Sequence, residues 1–479
     1  MLNQNDEYLT SMILSELEDV VGENNLKTKN VDRFAHAVDF YWVPRVWVDR
    51  GKNPILPECV VYPENVEQVS KIVKISNTHR IPLTAWGGGS GSQGGALPIK
   101  RGIVLDMKKM NRVIDINESA YTVTAEVGII HQNLEWELEK KGYSTMHVPA
   151  SISCATLGGF LAHKGTGVLS TKYGKIEDLI INMEIVLPNG DIVNTLQVPR
   201  HSCGPDLNQL FCGSEGTLGI ITKATVKMFD TPKYRKFQAF MFKNMHDALD
   251  AGRKIMTKRL QPSVIRLYDE EETIHQIERV LGVKKNGCYL VFGFDGRDEE
   301  IVNKLMESAV NICLETSTES LGSNFGESWW EHRYKFFYPP YLMDLPEAFG
   351  TMDTVATYDK IEKIYWGMKA AAESFQGTKF IAHFSHWYEW GCMMYDRFII
   401  HPDYVPKDPD EAIRLYNKVW NKCIRVSLNN GGLLNEHHGV GLKMSYLMQE
   451  QYGPAFQVLR KIKNVLDPNN IMNPGKLGF

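Results

Sequence analysis

Short apolar runs of strand length alternate with longer segments of helical period in the first third of the chain. Residues 7–22 repeat apolar side chains every three or four positions, which predicts an amphipathic helix. The proline-bounded run 57–63 predicts a short strand, and Asn65 is placed to cap a helix over residues 66–79. Further strands are predicted at residues 81–85, 102–107, 113–116 and 121–127, and a further helix at residues 131–141. This mixture of elements predicts an α+β fold.

The stretch from Trp86 to Pro98 joins two of these predicted strands and is dominated by glycine. Glycine adopts positive φ and lets a ligand approach the backbone, and successive N–H groups in such a loop form a nest for an anion. A Rossmann or P-loop motif would place a helix directly after the glycines. Here the next segment, 102–107, is predicted to be a strand, so no helix start is expected to hold the ligand. We therefore exclude both motifs and predict a diphosphate ligand.

Two more stretches are rich in small residues and hydroxyls. The first covers residues 149–159 and continues in the segment 163–167, and the second covers residues 213–221. Such sequences are poor core formers but allow a flat ligand to lie close to the backbone. We therefore predict that the glycine loop and these two stretches are three walls of one extended cofactor site.

Length and composition narrow the possible domain organisation and the possible classes of partner. A chain of 479 residues is expected to form two domains. Its 53 basic and 57 acidic residues give a net charge of −4 without any basic run, which argues against a nucleic-acid partner. The sequence contains no apolar run of about 18 residues, so no transmembrane segment is predicted. Its start lacks the pattern of a secretory signal. Eight cysteines without a CxxC pair predict reduced thiols in a cytoplasmic enzyme.

The three loops, in this order and spacing, resemble the FAD-binding domain of the vanillyl-alcohol oxidase type, also called the PCMH type. The resemblance covers about residues 55–230 and the C-terminal tail. Segments similar to the alkyldihydroxyacetonephosphate synthases are 110–113, 174–179, 203–207, 263–269 and the histidine-containing turn 436–441. Segments more similar to the flavin 2-hydroxy-acid (lactate, glycolate) dehydrogenases are 94–98 and 466–476. The sequence therefore lies between these two groups.

The resemblance implies a fold and a cofactor. We expect a two-subdomain FAD domain over residues 1–231, an α+β cap over 232–435, and a C-terminal segment 436–479 that completes the FAD domain and the active site. The cofactor is expected to be non-covalent FAD, with its diphosphate on residues 87–93. The implied cofactor-binding residues are Gly87, Gly88, Gly89, Ser90, Gly91, Ser92, Gln93, Ala150, Ser151, Ser153, Cys154, Thr156, Gly158, His163, Gly165, Thr166, Glu215, Gly216, Thr217, Gly219, Ile220 and Ile221.

The cap is rich in aromatic side chains, most of which we expect in its core and a few around the substrate. These positions are Trp329, Trp330, Tyr334, Phe336, Phe337, Tyr338, Tyr341, Trp387, Tyr388, Trp390 and Tyr395.

Four residues are predicted to carry the chemistry. Arg266 lies in a strand-like apolar run, and a buried arginine needs an anion, so it is expected to bind the substrate's polar head. By the resemblance, Tyr395 is the acid/base, provided that its pKa is lowered locally, with Tyr388 in reserve. His437 and His438 titrate near neutrality and are the alternative bases. Glu436 stands where the synthases have a third histidine, which puts ether-lipid synthesis in doubt.

Neither a metal nor a covalent flavin is expected. By the resemblance, some hydroxy-acid dehydrogenases hold a metal with two spaced histidines and a glutamate. The spacing of His383 and His386 departs from that pattern, although these two histidines and Glu436 could still bind a metal together. The diphosphate loop contains no histidine for a covalent link, and Cys154 is predicted to be a small buried apolar residue.

The resulting prediction is an FAD-dependent oxidoreductase that oxidises a CH–OH group of a 2-hydroxy acid or alcohol by hydride transfer to flavin N5. The alternative is an enzyme similar to the alkyldihydroxyacetonephosphate synthases, which uses FAD without net redox change. A third interpretation is a flavin-binding subunit of an electron-transfer complex, which would expose a large apolar patch. The expected partners are a small-molecule substrate and an unidentified electron acceptor, and a homodimer is allowed.

Overall fold

The computed structural model describes residues 9–316, 318–336 and 348–479, with only the backbone of Phe349. The first helix is Ser11–Val21 and buries Ile13 and Leu17, as its pattern predicts, while positions 7 and 8 lie outside the described residues. The predicted helix Val66–His79 is confirmed at both ends, and the Asn65 side chain accepts the N–H of Gln68 at its start. Of the predicted aromatic positions, Phe337, Tyr338 and Tyr341 lie outside the described residues.

Two sheets occupy the part of the chain before residue 228. The four strands of the first sheet lie in the order Leu26–Lys27, Cys59–Val61, Ile103–Asp106 and Leu83–Trp86. Its last three strands are parallel, with Cys59 opposite Ile103 and Leu83 opposite Ile103 on the other side. The second sheet is antiparallel, in the order Val113–Asn117, Thr122–Glu126, Ile220–Lys227, Ile180–Val186 and Ile192–Asn194. Both sheets pack into one apolar core.

Short helices connect these strands, and a two-stranded ribbon pairs Tyr143–Ser144 with Phe229–Asp230. The helices are Asn30–Ala35, Trp42–Asp49, His131–Glu139, Leu157–His163, Ser170–Tyr173, Ile176–Leu179 and Leu207–Phe211, with 3₁₀ turns at Glu23–Asn25 and Met107–Lys109. The predicted helix at 131–141 therefore ends two residues early, before Gly142 at φ +80°.

A seven-stranded antiparallel sheet forms the middle of the chain. Its order is Thr318–Gly322, Tyr234–Phe242, Cys288–Gly296, Val264–Tyr268, Thr378–Trp387, Gly391–Ile400 and Ala348–Thr357. The helices of this part are Met245–Thr257, Glu270–Glu272, Glu278–Leu281, Glu299–Cys313, Ser323–His332, Tyr358–Glu373 and Pro409–Asn429, with a π-helical turn at Thr273–Ile277 and 3₁₀ turns at Arg333–Phe336 and Pro402–Tyr404. One face packs on these long helices, and the other carries a smaller core that includes Trp329 and Tyr268.

The end of the chain returns to the first sheet. It contains the helices Met448–Tyr452 and Phe456–Leu466 and the 3₁₀ turns Ser445–Leu447 and Gly453–Ala455. The N–H of Leu83 donates to Ile471 O, and the N–H of Asn473 donates back to Leu83 O, so the tail extends the sheet edge beside the glycine loop. We propose domain boundaries near residues 231 and 435, because no strand of the first two sheets lies beyond 227 and the seven-stranded sheet ends at residue 400.

No helix of the described residues is long and apolar enough to cross a membrane. All eight cysteines are unpaired, as their spacing predicts.

Candidate active site

The glycine loop leads from strand Leu83–Trp86 towards strand Ile103–Asp106, and no helix follows it, as predicted. A Cβ on Gly88 would clash with the Cys154 carbonyl oxygen, and one on Gly87 would clash with Thr156 Oγ1. Glycine is therefore required at both positions by the close approach of the second stretch. A helix start does lie beside the loop, since Thr156 caps the helix Leu157–His163 against it, and the expectation that no helix start holds the ligand stays a prediction.

The backbone N–H groups of residues 88–92 are left without acceptors among the described residues. Buried or half-buried N–H groups are almost always paired with protein, solvent or ligand, and a run of them in one loop favours an anion. A Cβ on Gly91 would meet nothing within 4 Å, so there is room for a ligand against this backbone. These observations fit the diphosphate of a dinucleotide.

All three predicted walls line two adjoining cavities. The first cavity contains Gly87, Gly88, Gly89, Ser90, Gly91, Gln93, Thr156, Gly158, His163, Glu215, Gly216, Gly219, Ile220 and Ile221 of the predicted set. The second contains Ser92, Ala150, Ser151, Cys154, Gly165 and Thr166, and it shares Ser90, Gly91 and His163 with the first. Ser153 is exposed and Thr217 is fully buried with its hydroxyl on Ser214 O, so neither lines a cavity.

Glu215 joins the third wall to the C-terminal segment. Its carboxylate accepts the N–H groups of Val440 at 2.5 Å and Gly441 at 2.9 Å. Burial raises its pKa to about 7, against the opposing effect of those two hydrogen bonds. Asn473 adds a second link, since its amide donates to the carbonyls of Gly95 and Glu215. The cofactor walls and the histidine turn that follows residue 435 are therefore held as one unit.

Arg266 enters the second cavity from strand Val264–Tyr268. It is 7% exposed, and its Nε has no hydrogen-bond partner among the described residues. Its guanidinium lies 5.6 Å from the ring centre of Trp329, and no described carboxylate forms an ion pair with it. A buried guanidinium without a counter-ion is costly, so this position is suited to an anionic ligand.

His437 and His438 lie in the same cavity wall and are organised by Asp353, a fully buried carboxylate on strand Ala348–Thr357. Asp353 accepts the backbone N–H groups of residues 436, 437 and 438 at 3.1, 2.9 and 3.3 Å. It also accepts the Asn435 side-chain amide at 2.6 Å. The Nδ1 atoms of both histidines lie 3.0 Å from its oxygens, as ion-pair contacts rather than aligned hydrogen bonds.

The two adjacent histidines differ in protonation. Burial alone would lower the pKa of His437, but the Asp353 and Glu436 carboxylates raise it to about 9. For His438, burial and the neighbouring His437 cation lower the pKa below its ordinary value, against the attraction of Asp353. At neutral pH the pair therefore consists of one imidazolium, at 437, and one neutral imidazole, at 438, with ring centres 3.9 Å apart.

Glu436 is the second buried carboxylate of the turn. It receives the Lys175 ammonium at 3.1 Å, His386 Nδ1 at 3.2 Å and the Tyr388 hydroxyl. Despite burial, His386 and Lys175 hold its pKa well below the usual range. One Glu436 carboxylate oxygen, one His386 nitrogen and one His437 nitrogen lie within 4.8 Å of one another, close enough to share a metal ion. Because Lys175 already neutralises the Glu436 carboxylate, we propose, as we do from the sequence, that Glu436, His386 and His437 hold no metal.

His383, the other histidine weighed as a ligand, pairs with Glu272 instead, at 3.0 Å from Nδ1. Arg397 shares that carboxylate. The ring of Tyr395 stacks on His383, with ring centres 5.0 Å apart, and meets His438 edge-on at 5.3 Å. Burial raises the pKa of Tyr395, so the condition for its use as a base is not met and its hydroxyl is a hydrogen-bond donor.

Cys154 is not the fully buried apolar residue that the sequence predicts. It is partly exposed and lines the second cavity, and its thiol contacts Ser151 O at 3.4 Å. Burial on its other side still raises the thiol pKa, which disfavours the thiolate. The expectation of a dissociable cofactor therefore remains a proposal.

Three residues of the site were not predicted from the sequence, namely Asp353, Thr351 and Phe40. Thr351 and Phe40 line the second cavity. A signal for Asp353 was present, since it is an acidic residue in the apolar run 348–357. Phe40 carries no such signal, because its place depends on how the N-terminal segment crosses the fold.

The paired cavities define the class of protein. A glycine loop suited to a diphosphate opens directly into a chamber lined by arginine, tyrosine and histidines, which fits a flavoprotein enzyme that binds its substrate beside the cofactor.

Comparisons with known proteins agree with this class. A sequence model of the FAD binding domain matches residues 57–196, and one of the FAD linked oxidases, C-terminal domain, matches residues 231–477. The chain belongs to the FAD-linked oxidase family, and FAD is its cofactor.

Relatives come from both predicted groups. The chain is 28% identical to alkyldihydroxyacetonephosphate synthase of Trypanosoma brucei brucei, over 97% of this chain and 80% of that protein. It is 30% identical to the mitochondrial D-lactate dehydrogenase [cytochrome] of Arabidopsis thaliana, also over 97% and 80%. A solved alkyldihydroxyacetonephosphate synthase structure superposes with a TM-score of 0.82 at 26% identity, covering 100% of this chain and 87% of that one. The predicted family and fold class are confirmed.

Proposed function

We propose that this chain oxidises the CH–OH group of a small hydroxy acid. The main supporting observation is that one cavity beside the cofactor walls holds both Arg266, which is buried and has no ion-pair partner among the described residues, and His438, which is neutral at pH 7. FAD, when bound, would supply the two-electron oxidant. The protein's own residues then have three tasks, which are binding the substrate anion, accepting the hydroxyl proton and excluding water.

Arg266 performs the first task. Its five N–H donors suit a carboxylate, which can take two of them at once. Binding an anion here also relieves the cost of the uncompensated buried charge, so an anionic substrate is favoured over a neutral alcohol.

His438 performs the second task. Oxidation of CH–OH to C=O removes one hydride equivalent and one hydroxyl proton. His438 is neutral and adjoins both cavities, so it can accept that proton at the nitrogen that does not face Asp353. The His437 cation and the Tyr395 hydroxyl are placed to stabilise negative charge that develops on the substrate oxygen.

A second candidate is a synthase-like transfer on a lipid-type phosphate ester. The observation in its favour is the likeness to alkyldihydroxyacetonephosphate synthase over the whole chain. Arg266 would then receive a phosphate instead of a carboxylate. Glu436 in place of a third histidine weighs against this candidate.

An anaerobic absorbance titration of the FAD-loaded protein distinguishes the hydroxy-acid oxidoreductase from the synthase-like transferase. We expect a 2-hydroxy acid to bleach the flavin in the wild type, with greatly weakened binding in Arg266→Met and partial recovery in Arg266→Lys. Aromatic alcohols and an acyl-dihydroxyacetone phosphate complete the panel. Spectral perturbation by the acyl phosphate alone, without bleaching by any hydroxy acid or alcohol, would refute the oxidoreductase proposal.

A further inference from the structure

Residues 30–52 form a strap, which consists of the helices Asn30–Ala35 and Trp42–Asp49, the turn between them and the three residues that follow. This strap lies before both matched family regions, which begin at residues 57 and 231. It nevertheless contacts both halves of the molecule and reaches the second cavity.

One end of the strap is fixed to the cofactor half. His36 Nε2 lies 2.9 Å from Asp106 Oδ2, at the end of strand Ile103–Asp106. Arg33 donates to Pro57 O at 2.6 Å. A Cβ on Gly94 would lie 3.1 Å from the Tyr41 ring, so the strap also rests on the end of the glycine loop.

The other end is fixed to the cap half. The ring of Trp42 stacks on Tyr416 of helix Pro409–Asn429, with centres 4.8 Å apart and planes 12° from parallel. Arg50 donates to the carbonyls of Pro406 at 2.6 Å and Lys407 at 2.9 Å. The strap therefore holds a fixed position between the two halves and does not depend on one contact.

Phe40 lies between these two anchors and lines the cavity that contains Arg266 and His438. Its ring is 39% exposed, although it sits between the buried neighbours Asp39 and Tyr41. The same cavity is also lined by the apolar residues Pro149, Ala150, Phe160 and Val168. The Arg45 guanidinium lies over the Phe40 ring, 5.8 Å from its centre, and the Phe40 side chain also lines the cavity.

We propose that Phe40 is a specificity-determining residue, which packs on the hydrocarbon part of a substrate whose anionic head is bound by Arg266. This inference rests on the proposed function and adds the substrate class, a hydroxy acid with an apolar chain rather than one of glycolate size. Each methylene that the ring and its apolar neighbours bury would tighten binding about fourfold.

Ligands that cannot be oxidised test this without turnover. Straight-chain carboxylates of increasing length are titrated into the oxidised FAD-loaded protein, and binding is followed by the change in flavin absorbance. In the wild type, affinity is expected to rise up to about fourfold per methylene. In Phe40→Ala the rise should be largely lost, whereas acetate-sized ligands should bind almost as before.

Phe34→Ala is the matched control, because Phe34 belongs to the same strap, is 38% exposed and does not line the cavity. It should keep the wild-type dependence on chain length. Equal slopes in wild type and Phe40→Ala would overturn the proposal, as would equal loss of slope in both variants. Equal FAD content and melting temperature in the two variants would show that folding is not the cause.

Failure of the proposed function gives a different result. If no carboxylate perturbs the flavin, the anion site is refuted, and the series is repeated with straight-chain primary amides, which are uncharged and have no CH–OH group. If affinity for this second series rises with chain length in the wild type but not in Phe40→Ala, the role of Phe40 is supported on its own. If the rise is unchanged in Phe40→Ala, or if neither series binds, that role is refuted.

Discussion

Asp353→Asn is the most informative perturbation of the site. The substitution keeps the shape of the side chain but removes a buried charge that faces two histidines and three backbone N–H groups. Breaking a buried ion pair by removing one partner costs about 3–5 kcal/mol. We therefore expect the free energy of unfolding at pH 6.5 to fall by about that amount.

The pH dependence of stability is a sharper test. The pKa of His437 is raised from 6.5 to about 9 in the folded protein. A raised histidine pKa stabilises the fold fully below pH 6.5, and this stability is lost as the pH rises through about 9. A shift of this size corresponds to about 3 kcal/mol. The loss due to His437 should be about that large in the wild type and much smaller in Asp353→Asn, where Glu436 alone still raises the pKa of His437. Buried Lys443, whose pKa is lowered to about 7, contributes in the opposite direction, so the quantity to compare is the difference in pH slope between the two proteins.

The assay is urea unfolding of the FAD-loaded protein at fixed FAD concentration, followed by tryptophan fluorescence across this pH range. His437→Gln should show the same flattened pH dependence, and adding Asp353→Asn to it should flatten it little further. Asp396→Asn is the matched control, since Asp396 is equally buried on the neighbouring strand but its raised pKa keeps it neutral. An unchanged pH slope in Asp353→Asn, or an equal change in Asp396→Asn, would refute this account of the histidine turn.

Four further variants test separate parts of the structure. His438→Gln should slow anaerobic flavin reduction by about 10²–10⁴-fold while carboxylate affinity stays within about twofold, as stopped-flow absorbance would show; an unaltered rate would assign the base elsewhere. Gly88→Ala should lower the melting temperature of the protein, because the added Cβ would clash with the Cys154 carbonyl oxygen. Gly91→Ala should leave the cofactor-free fold intact, because its Cβ meets no protein atom, and should weaken FAD binding about tenfold or more in a fluorescence titration. Asn65→Ala should cost about 1 kcal/mol in urea unfolding without changing FAD affinity.

Local patterns predicted the helices and strands between residues 57 and 139 well. The helix Val66–His79 carries its own cap and apolar face, so its ends follow from neighbouring residues alone. The glycine loop was predicted for the same reason, since positive φ and close approach are properties of single residues. The order of the seven-stranded sheet depends on pairing between distant strands, such as Val264–Tyr268 with Thr378–Trp387, and no local pattern contains that information.

The protonation of the site shows the same limit. The sequence places His437 and His438 side by side but gives no reason to treat them differently. Asp353, more than 80 positions earlier in the chain, reaches both rings and organises the turn. Equal side chains acquire unequal roles because Glu436 places a second carboxylate oxygen 2.8 Å from His437 Nδ1. A base and a cation can then coexist at one pH, because the charge on His437 itself disfavours a second charge on His438.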